Sequence, residues 1–252
     1  MCLIVFAVNV LPGYPFLLAG NRDEFYRRPT KPVHRWDTDP VIIAGKDLKA
    51  GGTWMGISES GRFAALTNYR AMNEIKENAP SRGDIVKNFL LSEDPIHTYL
   101  KRLVDDAGKY NGFNLLAGDF SELYYLNGLK ESVQNLKPGF YSISNAFLNT
   151  PWPKTEKALH RFRSICEGKE VNEEAIFELL LDREQFPIEQ LPKTGLTKEM
   201  EKAVSPIFIQ TENYGTRCST IVSMDSHSKV SLVERTYTPG TTEIKKEARF
   251  TI

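Results

Sequence analysis

The chain has 252 residues, and its 32 Lys and Arg balance 32 Asp and Glu, leaving no formal net charge at pH 7. That balance argues against a nucleic-acid partner, whose electrostatic footprint is a basic surface. With 41% hydrophobic and 25% charged residues the composition is that of a globular chain with a substantial core, neither disordered nor fibrous.

The longest apolar run, Cys2-Leu3-Ile4-Val5-Phe6-Ala7-Val8, falls far short of the ~20 residues that span a bilayer, so no integral membrane segment is expected. No Lys or Arg precedes Arg22 and no small-residue cleavage site follows the run, so the start reads as mature protein. Being apolar on both faces, Cys2 to Asn9 reads as a strand covered on both sides. Turn residues at Leu11–Pro15 and the apolar Phe16–Ala19 make a hairpin, in which pairs summing to 25 place Cys2 opposite Asp23, to within about two residues. Further strands are predicted at 41–44, 53–58, 62–67, 112–118 and 122–127. Ser81 signals a helix over Ile85, Val86, Phe89 and Leu90, and 95–103 gives a second. Helices are also predicted from Pro153 to Gly168 and from Asn172 to Leu181. The C-terminal third returns to strands at 207–210, 217–224, 230–237 and 244–252. Strand and helix blocks alternating in this way favour stacked antiparallel sheets flanked by helices, an α+β fold in one domain, 1–252. Cys2, Cys166 and Cys218 are far apart and odd in number, which points to a reducing compartment, the cytoplasm.

Chemistry is suggested first at Cys2. Removal of Met1 would leave a thiol nucleophile and an α-amine base on one residue, the amine titrating near ~7.7–8.0. An unperturbed thiol is only about 3% thiolate at pH 7, and a cation beside it, for which Arg22 is the candidate, would raise that fraction. The bland reading of Cys2 is a small buried hydrophobe on a core strand. Asn21-Arg22-Asp23-Glu24 then follows the strand opposite Cys2. Alternation sends Asn21 and Asp23 to one face and Arg22 and Glu24 to the other, unless the strand ends or bulges there. Arg22 and Asp23 are the candidate site residues, against a solvated turn or a structural ion pair. Asn68 and Asn145 each close an apolar strand, and either is placed to offer an amide N–H to an oxyanion or simply to end a strand. Arg217 is a candidate for binding a carboxylate. His34, His97, His160 and His227 show no metal spacing.

Taken together, Met1-Cys2, Asn21-Arg22-Asp23-Glu24, Gly51-Gly52-Thr53-Trp54, Ser81-Arg82-Gly83 and Tyr214-Gly215-Thr216-Arg217 resemble the NRDE family, also called the transport and Golgi organisation protein family, over essentially the whole chain. The resemblance implies the N-terminal nucleophile (Ntn) hydrolase fold, a four-layer αββα sandwich. It also implies links to haem trafficking, acyl-CoA or lipid metabolism and secretory organisation. A more distant resemblance is to the choloylglycine hydrolase and penicillin acylase group, whose N-terminal cysteine cleaves amides. By position, Cys2 would match the nucleophile, Asn68 and Asn145 the oxyanion and amine-orienting amides, and Arg217 the late arginine. In that group the early Arg and Asp are separated by two residues, whereas Arg22 and Asp23 are adjacent. The expectation is a cysteine hydrolase of an amide or thioester in a small acyl substrate, with no cofactor required. The alternative is a non-catalytic carrier of haem or an acyl-CoA on the same fold.

Overall fold

A computed structural model of the protein describes residues 2–70, 75–168 and 171–252. They fall into two compact units. The first comprises Met1–Arg27, Lys137–Ser144 and Leu148–Ile252, apart from the undescribed residues. Its strands are β1 (Cys2–Leu11), β2 (Tyr14–Phe25), β10 (Gly139–Ile143), β11 (Tyr214–Met224), β12 (Val230–Tyr237) and β13 (Ile244–Thr251), in the sheet order β10-β1-β2-β11-β12-β13. Every pairing is antiparallel. Helices α3 (Pro153–Cys166) and α4 (Glu173–Leu180) lie on one face, where Ala158, Phe162, Ile176, Phe177 and Leu180 bury against Leu3, Val5, Ala7, Leu17 and Ala19. Truncating a ring such as Phe162 in that layer would cost about 3–5 kcal/mol. Pro153 at the start of α3 and Asn172, whose side chain accepts the Ala175 N–H at 3.0 Å, set the helix starts as the sequence predicts. Helix α5 (Lys198–Ala203) is capped by Thr197.

The second unit, Arg28–Leu136 with Asn145–Phe147, is an antiparallel meander of seven strands. These are β3 (Thr30–Arg35), β4 (Ile42–Asp47), β5 (Met55–Ser58), β6 (Phe63–Asn68), β7 (Phe113–Gly118), β8 (Leu123–Asn127) and β9 (Ser132–Asn135). Helices α1 (Gly83–Leu91) and α2 (Ile96–Asp106) cover one face through Ile85, Val86, Phe89, Leu90, Leu100 and Leu103. Each unit is thus one sheet with one helical layer.

One predicted strand does not form. Residues 207–210 make a single bridge, Gln210 to Gly215, because their backbone groups are taken partly by side chains and partly by isolated backbone partners, the Phe208 N–H donating to the Asp182 carbonyl at 2.7 Å. Asn21 donates to the Ile207 carbonyl at 3.0 Å and the Thr216 hydroxyl accepts the Ile209 N–H at 2.9 Å.

Candidate active site

Cys2 begins β1, between β10 and β2, and is 7% exposed. Near the turn the hairpin pairs as predicted, Leu11 with Tyr14, but a bulge between Val8 and Leu11 inserts one residue into β1. Asn9, with φ +50, takes up the left-handed conformation there, one that asparagine tolerates. Beyond it the pairs sum to 24, so Cys2 faces Arg22 rather than Asp23, and the two share a face of the sheet. Arg22 pairs on its other side with Cys218. The row across the sheet is therefore thiol, guanidinium, thiol. On the remaining side of β1, the Ser144 hydroxyl donates to the Cys2 carbonyl at 3.1 Å.

The opposite, helix-covered face carries Asn21 and Asp23, so the alternation expected of Asn21-Arg22-Asp23-Glu24 holds. Asn21 Nδ2 donates to the carbonyls of Leu180 (2.8 Å) and Ile207 (3.0 Å), and its Oδ1 accepts from Ser219 Oγ (2.6 Å). Tyr237 in turn donates to Ser219 at 2.8 Å. Asn21 is thus a fastener for the ends of neighbouring segments. Asp23, 2% exposed, accepts from the Thr216 hydroxyl at 2.7 Å. Thr216 and Ser219 stand three apart on β11 yet meet partners two apart on β2, because Arg217 is an extra residue between Thr216 and Cys218. Expelled from the ladder, Arg217 donates through Nη1 to the carbonyls of Phe25 (3.0 Å) and Tyr26 (3.3 Å). Gly215 is required here, since a Cβ would come within 2.4 Å of the Ile209 carbonyl oxygen.

Burial pushes the Cys2 thiol up, outweighing the downward pull of Arg22 and of a hydrogen bond from the Asp23 backbone N–H. The resting residue is a neutral thiol, not the thiolate that a neighbouring cation alone would produce. Burial also holds the Asp23 carboxyl above the usual range, against the charges of Lys154 and Arg22 and the Thr216 hydroxyl. Burial and the charge of Arg22 lower Arg217, while burial and Glu234 push Cys218 well up. Lys154 is the residue the sequence reading passes over. It is 3% exposed, in the first turn of α3, with Nζ donating to the Val204 carbonyl at 3.2 Å. A lysine at a helix N-terminus opposes the macrodipole, and that mismatch was the available signal.

Asn68 and Asn145 are brought together in the second unit. Asn145 is 1% exposed, and its Nδ2 donates to the Asn68 carbonyl at 2.8 Å. Its backbone carbonyl accepts the Arg70 N–H at 2.8 Å and its Oδ1 accepts from Arg70 Nη2 at 3.3 Å. The candidate residues therefore form two groups, Cys2, Arg22, Asp23 and Arg217 in the first unit and Asn68 with Asn145 in the second.

A cysteine opening a buried strand and the two helix-backed antiparallel sheets define a class. Solved structures of conjugated bile acid hydrolase from Clostridium perfringens share it. A cysteine-to-alanine mutant superposes with TM-score 0.54 at 9% identity, covering 100% of this chain and 92% of its own. An arginine-to-leucine variant gives 0.51 at 10% identity, covering 99% and 92%. The protein has the α+β fold of the Ntn hydrolases. Residues 1–239 match the Transport and Golgi organisation 2 family. A Bos taurus Transport and Golgi organization protein 2 homolog is 36% identical over 256 residues, covering 93% of this chain and 92% of that one. The Homo sapiens homolog is 35% identical over 266 residues with the same coverage, and the Drosophila melanogaster protein 28% over 263, covering 94% and 93%. The chain belongs to the Transport and Golgi organisation 2 family.

Proposed function

We propose that the protein is a cysteine Ntn-type hydrolase acting on an amide or thioester of a small, partly apolar acyl substrate. The observation that carries this reading is Cys2 itself, at the start of a buried strand, opposite Arg22 and with the Asp23 N–H on its sulfur. With Met1 removed, the Cys2 amine would accept the thiol proton, through a water, as sulfur attacks the carbonyl. That order of events suits a neutral resting thiol. Arg22 would stabilise the developing thiolate, Asp23 would hold the amine, and a backbone N–H would donate to the oxyanion. The amine then returns its proton to the leaving nitrogen or sulfur, and water hydrolyses the acyl-cysteine. Arg217 would attract an anionic group on the substrate. A second reading, carriage of haem or an acyl-CoA without turnover, rests on the family resemblance alone.

The test is the intact mass of tag-free protein before and after a thiol-selective acylating probe, with Cys2→Ala as control. Loss of methionine together with rapid acylation that Cys2→Ala abolishes is the expected result. Retained Met1 or an inert Cys2 sinks the hydrolase and favours carriage, for which saturable binding of haemin or stabilisation by acyl-CoAs is then the requirement.

A further inference from the structure

In the sheet of the first unit, the face that carries Cys2 is ordered in rows by the register of its strands. Cys2, Arg22, Cys218 and Thr236 form one row across β1, β2, β11 and β12, and Ile4, Gly20, Thr220 and Glu234 form the next. Behind them Phe6, Leu18, Val222 and Leu232 make a third row, buried and wholly apolar. Residues two apart on a strand share a face, so the polar groups of the first two rows stand together. Gly20 leaves the second row without a side chain between Ile4 and Thr220. The row therefore has a gap one strand over from Cys2, with a hydroxyl and a carboxyl on its far side.

Thr220 is 2% exposed, and among the described residues its Oγ1 has no hydrogen-bond partner. Burying a hydroxyl without a partner opposes folding, so such a group marks a place where something else supplies the partner. Glu234, directly opposite on β12, is buried as well. Its carboxyl accepts from the Cys218 thiol, and its Oε1 accepts from the Thr236 hydroxyl at 3.4 Å. The two oxygens of a carboxylate offer about four acceptor sites in all. A ligand hydroxyl in the gap would suit both neighbours, accepting from the Thr220 O–H and donating to the Glu234 carboxyl. An ammonium cannot accept, and a methyl group can do neither.

We infer that this gap is a subsite for a hydroxyl group on the acyl chain of the substrate, recognised by Thr220 and Glu234. This rests on the acyl-transfer reading above, and the test separates the two. Strand spacing and rise put Thr220 about 12 Å from Cys2, two strands across and two residues along. A sulfur–carbon bond and a hydrogen bond take up about 5 Å of that, leaving a chain of about six bonds from the carbonyl carbon to the hydroxyl oxygen. The matching acyl group is 6-hydroxyhexanoyl, and heptanoyl has the same shape with a methyl in place of the hydroxyl.

Acylation of Cys2 by p-nitrophenyl 6-hydroxyhexanoate and by p-nitrophenyl heptanoate is compared, with the signal of Cys2→Ala subtracted. In each reaction the sulfur–acyl bond forms, the bond to nitrophenolate breaks and the thiol proton passes to solvent. The wild type should take the hydroxy ester about 10- to 100-fold faster. Thr220→Val, which keeps the shape and removes the hydroxyl, should cut that preference about 5- to 10-fold with the heptanoyl rate unchanged. Thr220→Ser should retain the preference. Glu234→Gln, which keeps an acceptor without the charge, should cut it about 3- to 10-fold, and it carries the test if Thr220→Val does not fold. Equal rates for the two esters in the wild type, as a gap that holds only water would give, overturn the inference alone. So does a preference that both Thr220→Val and Glu234→Gln leave unchanged, or a faster reaction of the 6-aminohexanoyl ester. A wild-type Cys2 that iodoacetamide alkylates but neither ester acylates overturns the hydrolase reading and the inference with it.

Discussion

Asp23 sits where burial disfavours its charge, and its protonation is therefore tied to folding. Its folded pKa is raised, so the stability it contributes is fully present below the unfolded value and is lost as pH rises through the folded one. Asp23→Asn keeps an acceptor for the Thr216 hydroxyl and removes that loss. The variant should melt above wild type at pH 7–8, by about 2–4 °C for each kcal/mol recovered, with the gap closing as pH falls toward 4. Thermal melts across that range check it, and a gap that widens on acidification would contradict the assignment. Residues that destabilise a fold while serving its chemistry are a familiar trade. At this scale the sequence showed which residue types were gathered near Cys2. It did not show Lys154 or Arg70, because the packing that buries a lysine at a helix start, or turns an arginine onto an asparagine, is made by segments remote in sequence.

Among the elements, the approach of the segment after β4 to the start of α1 depends on two glycines. Gly51 has φ +77, and a Cβ on Gly52 would stand 2.4 Å from the Gly83 carbonyl carbon, with the Thr53 N–H donating to the Gly83 oxygen at 3.2 Å. The Gly51-Gly52-Thr53-Trp54 and Ser81-Arg82-Gly83 motifs are thus the two halves of one joint. Gly52→Ala should cost about 1–3 kcal/mol, whereas Gly83→Ala, whose methyl would meet Thr53 at 3.2 Å, should cost less. Equal denaturant midpoints for the two would refute the joint. The sequence made the first hairpin and helices α1 to α4 legible, each having apolar periodicity and a boundary residue. Strands β3 and β9 escaped because they are polar, and β9 is wholly exposed at a sheet edge. The segment 207–210 misled because an apolar run satisfied by side chains and isolated backbone partners looks like one satisfied by a ladder.

Over the whole molecule, the order and spacing of five short motifs carried the family, and the match over residues 1–239 bears that out. No helix of the described residues is long and apolar enough to cross a membrane. What the sequence could not supply was the phase of the strands. The bulge at Asn9 moved Cys2 from Asp23 to Arg22, and a bulge has no period to reveal it. The bulge at Arg217 reaches further. Take that residue away, and Thr216 and Ser219 become two apart, matching Asp23 and Asn21 in an unbroken ladder. Deletion of Arg217 should therefore leave the fold intact at a cost of about 1–3 kcal/mol by denaturant unfolding, for the hydrogen bonds lost at the Phe25 and Tyr26 carbonyls, while any binding of anionic substrate falls. The ladder, in other words, would close without Arg217, and what the residue adds within the fold is a cation resting on the Phe25 and Tyr26 carbonyls at the end of β2.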